Sequence, residues 1–146
     1  MMIEAFWDTS VIVPLCTDQP PYTEVARPLL RRYAVAAWWG TSVEVASALT
    51  RLKRLGSLTD SEYLSAKVGW NQILTGSLVI EPSPTIKVLA MEILEKYALR
   101  TGDALQLAAA LQWCEGDPGG QVFLTADRRL AEAAQLAGFM LEPGLI

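Results

Sequence analysis

Asp8, Glu44, Asp103 and Asp127 are the residues of this sequence whose types and positions best suit chemistry. They are far apart along the chain, yet each falls where an apolar strand ends or a helix begins. The chain contains no histidine, which removes Ser-His-Asp and Cys-His catalysis from consideration. Carboxylates gathered without imidazole offer hard oxygen donors, the set that suits Mg²⁺ or Mn²⁺, and such an ion points to hydrolysis. Cys16 and Cys114 form no CxxC motif and, with no histidine to assist, make no zinc site. Cys114 ends an apolar helical pattern and reads as a small, partly buried side chain.

The elements that must position these acids follow from the pattern of apolar residues. Ile3 to Trp7 reads as a first strand delivering Asp8, and Val11 to Leu15 as one or two helical turns. Thr17 to Tyr22, with Pro20 and Pro21, reads as a loop, and Thr23 to Arg32 as a helix with Pro28 inside it. Val35 to Gly40 is a second strand. Thr41 opens a helix to about Leu55, with Val45, Leu49 and Leu52 on its apolar face. Thr59 opens another to about Leu74. Ser77 to Glu81 is a third strand, and Ser83-Pro84 predicts a cap and first residue for a helix to Tyr97. Asp103 precedes a helix from Ala104 to Trp113. Gln121 to Thr125 is a fourth strand, Asp127 to Ala137 a helix, and Phe139 to Leu141 a last strand. Strands alternating with helices imply an α/β fold, a central parallel sheet flanked by helices in three layers, over a single domain spanning 1–146.

Each acid, taken singly, also has a purely structural reading. Asp8 would cap the turn that follows it, although an acid directly after a buried strand is costly to desolvate. Glu44 would complete a capping box opened by Thr41. The stretch Thr59 to Glu62 has the same form and follows no strand, so local pattern alone does not decide Glu44. Asp103 and Asp127 would be negative charges at helix starts, where the macrodipole favours them. Independent capping gives no reason for all four to converge. A parallel sheet gathers its strand C-termini along one edge, where ligands bind.

The segments around these acids resemble the PIN-domain ribonucleases, most closely the VapC toxins of toxin–antitoxin pairs. Asp8-Thr9-Ser10 follows the first strand, and Thr41-Ser42-Val43-Glu44-Val45 opens a helix. Leu99 to Ala108 is similar to the family's segment around its third acid, and Phe123 to Leu130, with Ala133, Ala134 and Gly138 beyond, to that around its fourth. The likeness covers nearly the whole chain in the family's order. One departure is Gln106, where many relatives carry histidine; it is not one of the acids that the resemblance implies.

The resemblance implies that Asp8, Glu44 and Asp103 ligate a divalent ion, with Asp127 completing the site or holding a second ion through water. It implies in-line hydrolysis of RNA to a 5′-phosphate and a 3′-hydroxyl, at neutral pH and without histidine. Thr9 and Thr125 are candidates to orient ligands through their hydroxyls, and Arg100 and Arg128 to touch the RNA backbone. Arg51, Lys53 and Arg54 read as a solvated helix face. The resemblance further implies a homodimer and a separate antitoxin polypeptide whose C-terminal segment lies over the active-site groove. Of the five tryptophans, Trp7, Trp38 and Trp39 read as core, and Trp70 or Trp113 as stacking on a base or packing in a subunit interface.

Composition limits the rest. The 146 residues are 51% hydrophobic, enough for a sizeable core and against disorder. The net charge of −4 argues against strong non-specific nucleic-acid binding, so contact with RNA would be local and assisted by metal. No apolar run is long enough for a membrane span and no basic leader precedes one, which predicts a cytoplasmic protein. Two rival readings remain. An aspartyl-nucleophile Mg²⁺ phosphohydrolase wants an acid where Ser10 stands, and a non-catalytic PIN-like binding module does not need all four acids.

Overall fold

Phe6 and Trp7 are adjacent on the first strand and both are fully buried. Consecutive strand residues face opposite ways, so that strand must be covered on both sides. The computed structural model describes residues 2–146, which form β1 (Ile3–Trp7), α1 (Thr9–Cys16), α2 (Tyr22–Arg32), β2 (Tyr33–Trp38), α3 (Thr41–Arg54), α4 (Asp60–Thr75), β3 (Leu78–Ile80), α5 (Pro84–Lys96), α6 (Thr101–Trp113), β4 (Val122–Leu124), α7 (Arg128–Ala137) and β5 (Met140–Leu141). The strands lie in the order β3-β2-β1-β4-β5, with every pairing parallel.

Each face of the sheet has its own core. Phe6, Ala36 and Phe123 pack beneath α5, α6 and α7 through Ile86, Ile93, Leu107 and Leu130. Trp7, Ala37 and Leu124 pack on the other face against α1 to α4, through Ile12, Leu29, Leu49 and Trp70. Burying each large side chain contributes roughly 1.5–3 kcal/mol. The result is the three-layer α/β/α fold that the alternation of strands and helices implies. Among the described residues no helix is long and apolar enough to cross a membrane.

Local chemistry sets several helix starts. Thr59 and Glu62 form a complete capping box at α4. Ser83 accepts the Ile86 amide with Pro84 at the first helical position. The similar Thr41–Glu44 pair does not cap: Gly40 is the cap of α3, no side chain bonds there, and Thr41 is buried in the first turn. Glu44 is thereby left for other contacts. α6 starts at Thr101, earlier than the sequence pattern implied, so Asp103 stands within the first turn rather than ahead of it.

Two tryptophan expectations are corrected. β2 ends at Trp38, and Trp39, in the turn beyond, is 51% exposed rather than core. Trp70 is buried, and its indole N–H donates to Ser42 Oγ at 3.2 Å. It is therefore unavailable for stacking on a base or for a subunit interface.

β1 is central, and the chain builds β2 and β3 to one side before returning to β4 on the other. That reversal opens a crevice at the C-terminal ends of β1 and β4, the place where ligands bind in sheets of this kind.

Candidate active site

Trp7 pairs with Leu124 in the β1–β4 register, so the next residues, Asp8 and Thr125, meet at the mouth of the crevice. The Asp8 amide donates to Leu124 O at 2.9 Å. The Asp8 side chain is 4% exposed. Its Oδ2 accepts from Ser10 Oγ at 2.6 Å, from Thr125 Oγ1 at 2.9 Å and from the Ser10 amide at 3.4 Å. Ser10 Oγ accepts the Ala126 amide at 2.8 Å, and Thr125 Oγ1 accepts the Asp127 amide at 3.1 Å. Asp8 also caps α1, but Oδ2 takes all of these bonds, which leaves Oδ1 for a ligand. Burial raises the Asp8 carboxyl above its ordinary value, against the hydrogen bonds from Ser10 and Thr125.

Glu44 comes from the first turn of α3. Its Oε1 accepts from Gln106 Nε2 at 2.8 Å, while Oε2 lies over Gly102, where an added Cβ would sit 3.5 Å from it. Glu44 thus faces the start of α6, beside Asp103. Burial pushes Glu44 up to about 7, helped by the negative charges of Asp8 and Asp103 and opposed by the bonds from Gln106 and Thr9. Asp103 is pushed up to about 6 by burial and by the charges of Asp127 and Asp8, with Arg100 opposing. Asp127 caps α7, its Oδ1 accepting the Leu130 amide at 3.0 Å.

Glu44 therefore lies within electrostatic reach of Asp8 and Asp103, and Asp103 within reach of Asp8 and Asp127. Arg100 is the exposed residue preceding α6 and acts on Asp103 by charge. Arg128, the first residue of α7, is exposed and enters neither of the ion pairs found among the described residues.

Among the described residues no three His, Cys, Asp or Glu side chains already stand close enough to grip one ion together. The donor set nevertheless fits a hard divalent cation. It consists of carboxylate oxygens, and Glu44 and Asp103 are raised in part by their like-charged neighbours. A bound positive charge relieves that repulsion and inverts the local pKa logic.

Three contacts at this site had no role assigned from sequence. Ser10 bonds Asp8 directly. Thr41 and Gln106, both fully buried, meet at 3.0 Å. Gln106 also touches Glu44, although as a neutral residue apart from the acids it gave little signal; a polar residue within the otherwise apolar run Ala104 to Leu111 was the available clue.

A model of the PIN domain matches residues 5–136. The chain is 33% identical over 147 residues to "Ribonuclease VapC45" of Mycobacterium tuberculosis (strain CDC 1551 / Oshkosh), covering 94% of each. Two solved structures share its fold. One is PAE2754 from Pyrobaculum aerophilum, with a TM-score of 0.65 and 23% identity, covering 97% of this chain and 92% of that one. The other is a toxin–antitoxin complex from Klebsiella pneumoniae, with a TM-score of 0.61 and 18% identity, covering 88% and 91%. The chain belongs to the PIN-domain family.

Proposed function

We propose that this protein is a divalent-metal-dependent ribonuclease that hydrolyses RNA phosphodiester bonds, and the toxin of a toxin–antitoxin pair. The observation that carries the reading is the gathering of four acids at one end of the sheet, where Asp8 and Asp103 act by charge on Glu44, and Asp8 and Asp127 on Asp103. A protein that served only to bind a partner would gain nothing from that arrangement. The ribonuclease name of its similar relative supports the substrate class.

Asp8, Glu44 and Asp103 are the ligands in this reading, with Asp127 completing the set. When bound, Mg²⁺ or Mn²⁺ supplies an activated water and neutralises charge on the phosphate. The chain's own residues do the positioning. Ser10 and Thr125 orient Asp8 by gripping Oδ2, and Thr125 links Asp8 to the Asp127 backbone. Thr9 and Gln106 hold the edge of Glu44. In this reading Arg100 and Arg128, both exposed near the acids, meet RNA phosphates.

The two cores share one sheet, which supports reading residues 1–146 as a single domain. The proposal includes a homodimer acting in the cytoplasm, held in check by a separate antitoxin polypeptide. Leu64 and Val68, exposed one turn apart on α4, are apolar surface of the kind that association covers. The complex from Klebsiella pneumoniae supports a partner of that type.

Incubation of the purified protein with single-stranded RNA and Mg²⁺ or Mn²⁺ tests the activity. Cleavage that stops on adding EDTA is expected, and undiminished cleavage in EDTA overturns the metal requirement. Light scattering tests the assembly, where a mass near 16.0 kDa would oppose a dimer.

A further inference from the structure

A groove of about 390 Å³ lies between α1, α2 and α3, beside the acid cluster. Its walls include residues adjacent to two of the acids. Thr9 and Ser10 follow Asp8, Ala126 precedes Asp127, and Ala48, Arg51 and Leu52 lie down α3 on the face that begins with Glu44. Helical geometry stacks residues four, seven and eight positions along on one face, so the groove continues the line of the site rather than standing apart from it.

The lining of this groove is mixed in a particular way. Val13 and Pro14 form a buried apolar floor, and Tyr22 stands at the rim with 55% of its surface exposed. Gln19 adds an amide. Arg51 is exposed, and the ion pairs found among the described residues, Arg32–Glu142 and Lys53–Asp60, do not include it. A rise of 1.5 Å per residue puts Arg51 about 10 Å along α3 from Glu44. That is beyond a phosphate reacting at the acids but within reach of the next phosphates in the same strand.

We propose that this groove is a subsite for the single-stranded RNA adjoining the cleaved bond, with Arg51 pairing to a backbone phosphate and Tyr22 stacking on a base. The inference rests on the ribonuclease reading and deepens it. Arginine matches phosphate bidentately, and an aromatic face accepts any base. The chain is acidic overall and the catalytic edge is acidic in particular, so RNA needs a local cation to approach it. Arg51 supplies one at the far end of a continuous groove. A peptide partner would find the same apolar floor but would gain less from a lone guanidinium placed a strand's length from the acids.

The test compares native protein with Arg51→Gln, Tyr22→Ala and the control Arg54→Gln, an exposed residue of the same helix outside the groove. The probe is a fluorescein-labelled single-stranded RNA of mixed sequence with Mn²⁺, followed at several salt concentrations. Arg51→Gln is expected to raise KM about tenfold with kcat within about twofold of native. Its plot of log kcat/KM against log salt should be shallower by about 0.7, the loss of one single-strand phosphate contact. Tyr22→Ala should raise KM without changing the salt slope, and Arg54→Gln should match native. Melting curves of Arg51→Gln and Arg54→Gln should coincide with native, since both residues are exposed. Native KM and salt slope in Arg51→Gln overturn the subsite, as does an equal change in Arg54→Gln. A variant with native RNA kinetics that escapes an inhibitory protein partner would assign the groove to that partner and also overturn the subsite. If native protein cuts no RNA, the ribonuclease reading fails first and the subsite falls with it.

Discussion

Gln106 Nε2 stands 2.8 Å from Glu44 Oε1, and the same nitrogen lies 3.1 Å from Thr9 Oγ1 and 3.0 Å from Thr41 Oγ1. One amide thus ties the start of α1 and the start of α3 to α6. An amide nitrogen has two hydrogens, so these three oxygens share them. Gln106 Oε1, by contrast, is buried without a partner. That arrangement uses the amide to hold Glu44 in place and to oppose the rise that burial imposes on it, and leaves its own carbonyl unpaired.

Replacing Gln106 with leucine removes the orphan oxygen together with the donor. The fold should lose little, because removing the unsatisfied carbonyl offsets leaving the buried Thr41 hydroxyl unpaired. Affinity for Mn²⁺ should fall about 10–100-fold, the usual effect of losing an outer partner of a metal ligand. The measurement is the Mn²⁺ concentration giving half of the maximal rise in melting temperature. An unchanged midpoint would show that Gln106 does not act through Glu44.

Asp8→Asn separates a ligand from a cap. Asparagine caps helices as well as aspartate, so α1 keeps its start, and a buried charge is removed. The metal-free variant should melt at or above the native temperature, cut no RNA, and gain much less from Mn²⁺ by mass action. Near-native cleavage by this variant would show that Asp8 is not a metal ligand.

The pH dependence of the metal-free protein has a definite sign. Glu44 rises from 4.5 to about 7 and Asp103 from 3.8 to about 6. The folded state therefore holds protons that the unfolded chain has released, and stability falls as pH rises through this window. The stability these groups contribute is complete below about pH 4 and gone above about pH 7. Melting in EDTA should drop between pH 5 and pH 7 and flatten in Asp103→Asn. Saturating Mn²⁺ should reverse the trend, because the ligands must deprotonate to bind. A native melting temperature that climbs over this range in EDTA would contradict the raised values.

Thr59→Ala provides a contrast with the site. It removes one half of the reciprocal cap at α4 and should cost about 1 kcal/mol in urea unfolding. The Mn²⁺-induced rise in melting temperature should not change. If the metal response weakened, α4 would be coupled to the acids more closely than its position suggests.

What the sequence made legible was the frame. Alternation of apolar strands and helices was enough to imply the parallel three-layer sheet, and the Ser83-Pro84 start appeared as its chemistry dictates. The two T-x-x-E stretches show where local pattern stops. Thr59 and Glu62 close a box, while Thr41 is drawn into the core and Glu44 turns to Gln106; tertiary contacts outweigh the local cap. The start of α6 was expected at Ala104 because the helix begins on Thr101 without a side-chain cap to mark it. Arg51 is exposed, in keeping with a solvated helix face, and nothing local to α3 reveals the groove that α1 and α2 build in front of it.

The outermost strands are short: β3 has 3 residues and β5 has 2. A sheet normally exposes unpaired peptide groups at its borders, which invite another chain to zip on. Here so little ladder is available that lateral annealing of a second molecule gains only a few backbone bonds. Self-assembly through the sheet margins is thereby discouraged, and so is recognition by strand addition. Any macromolecule that engages this protein must grip side chains, on the helical flanks or at the acidic rim.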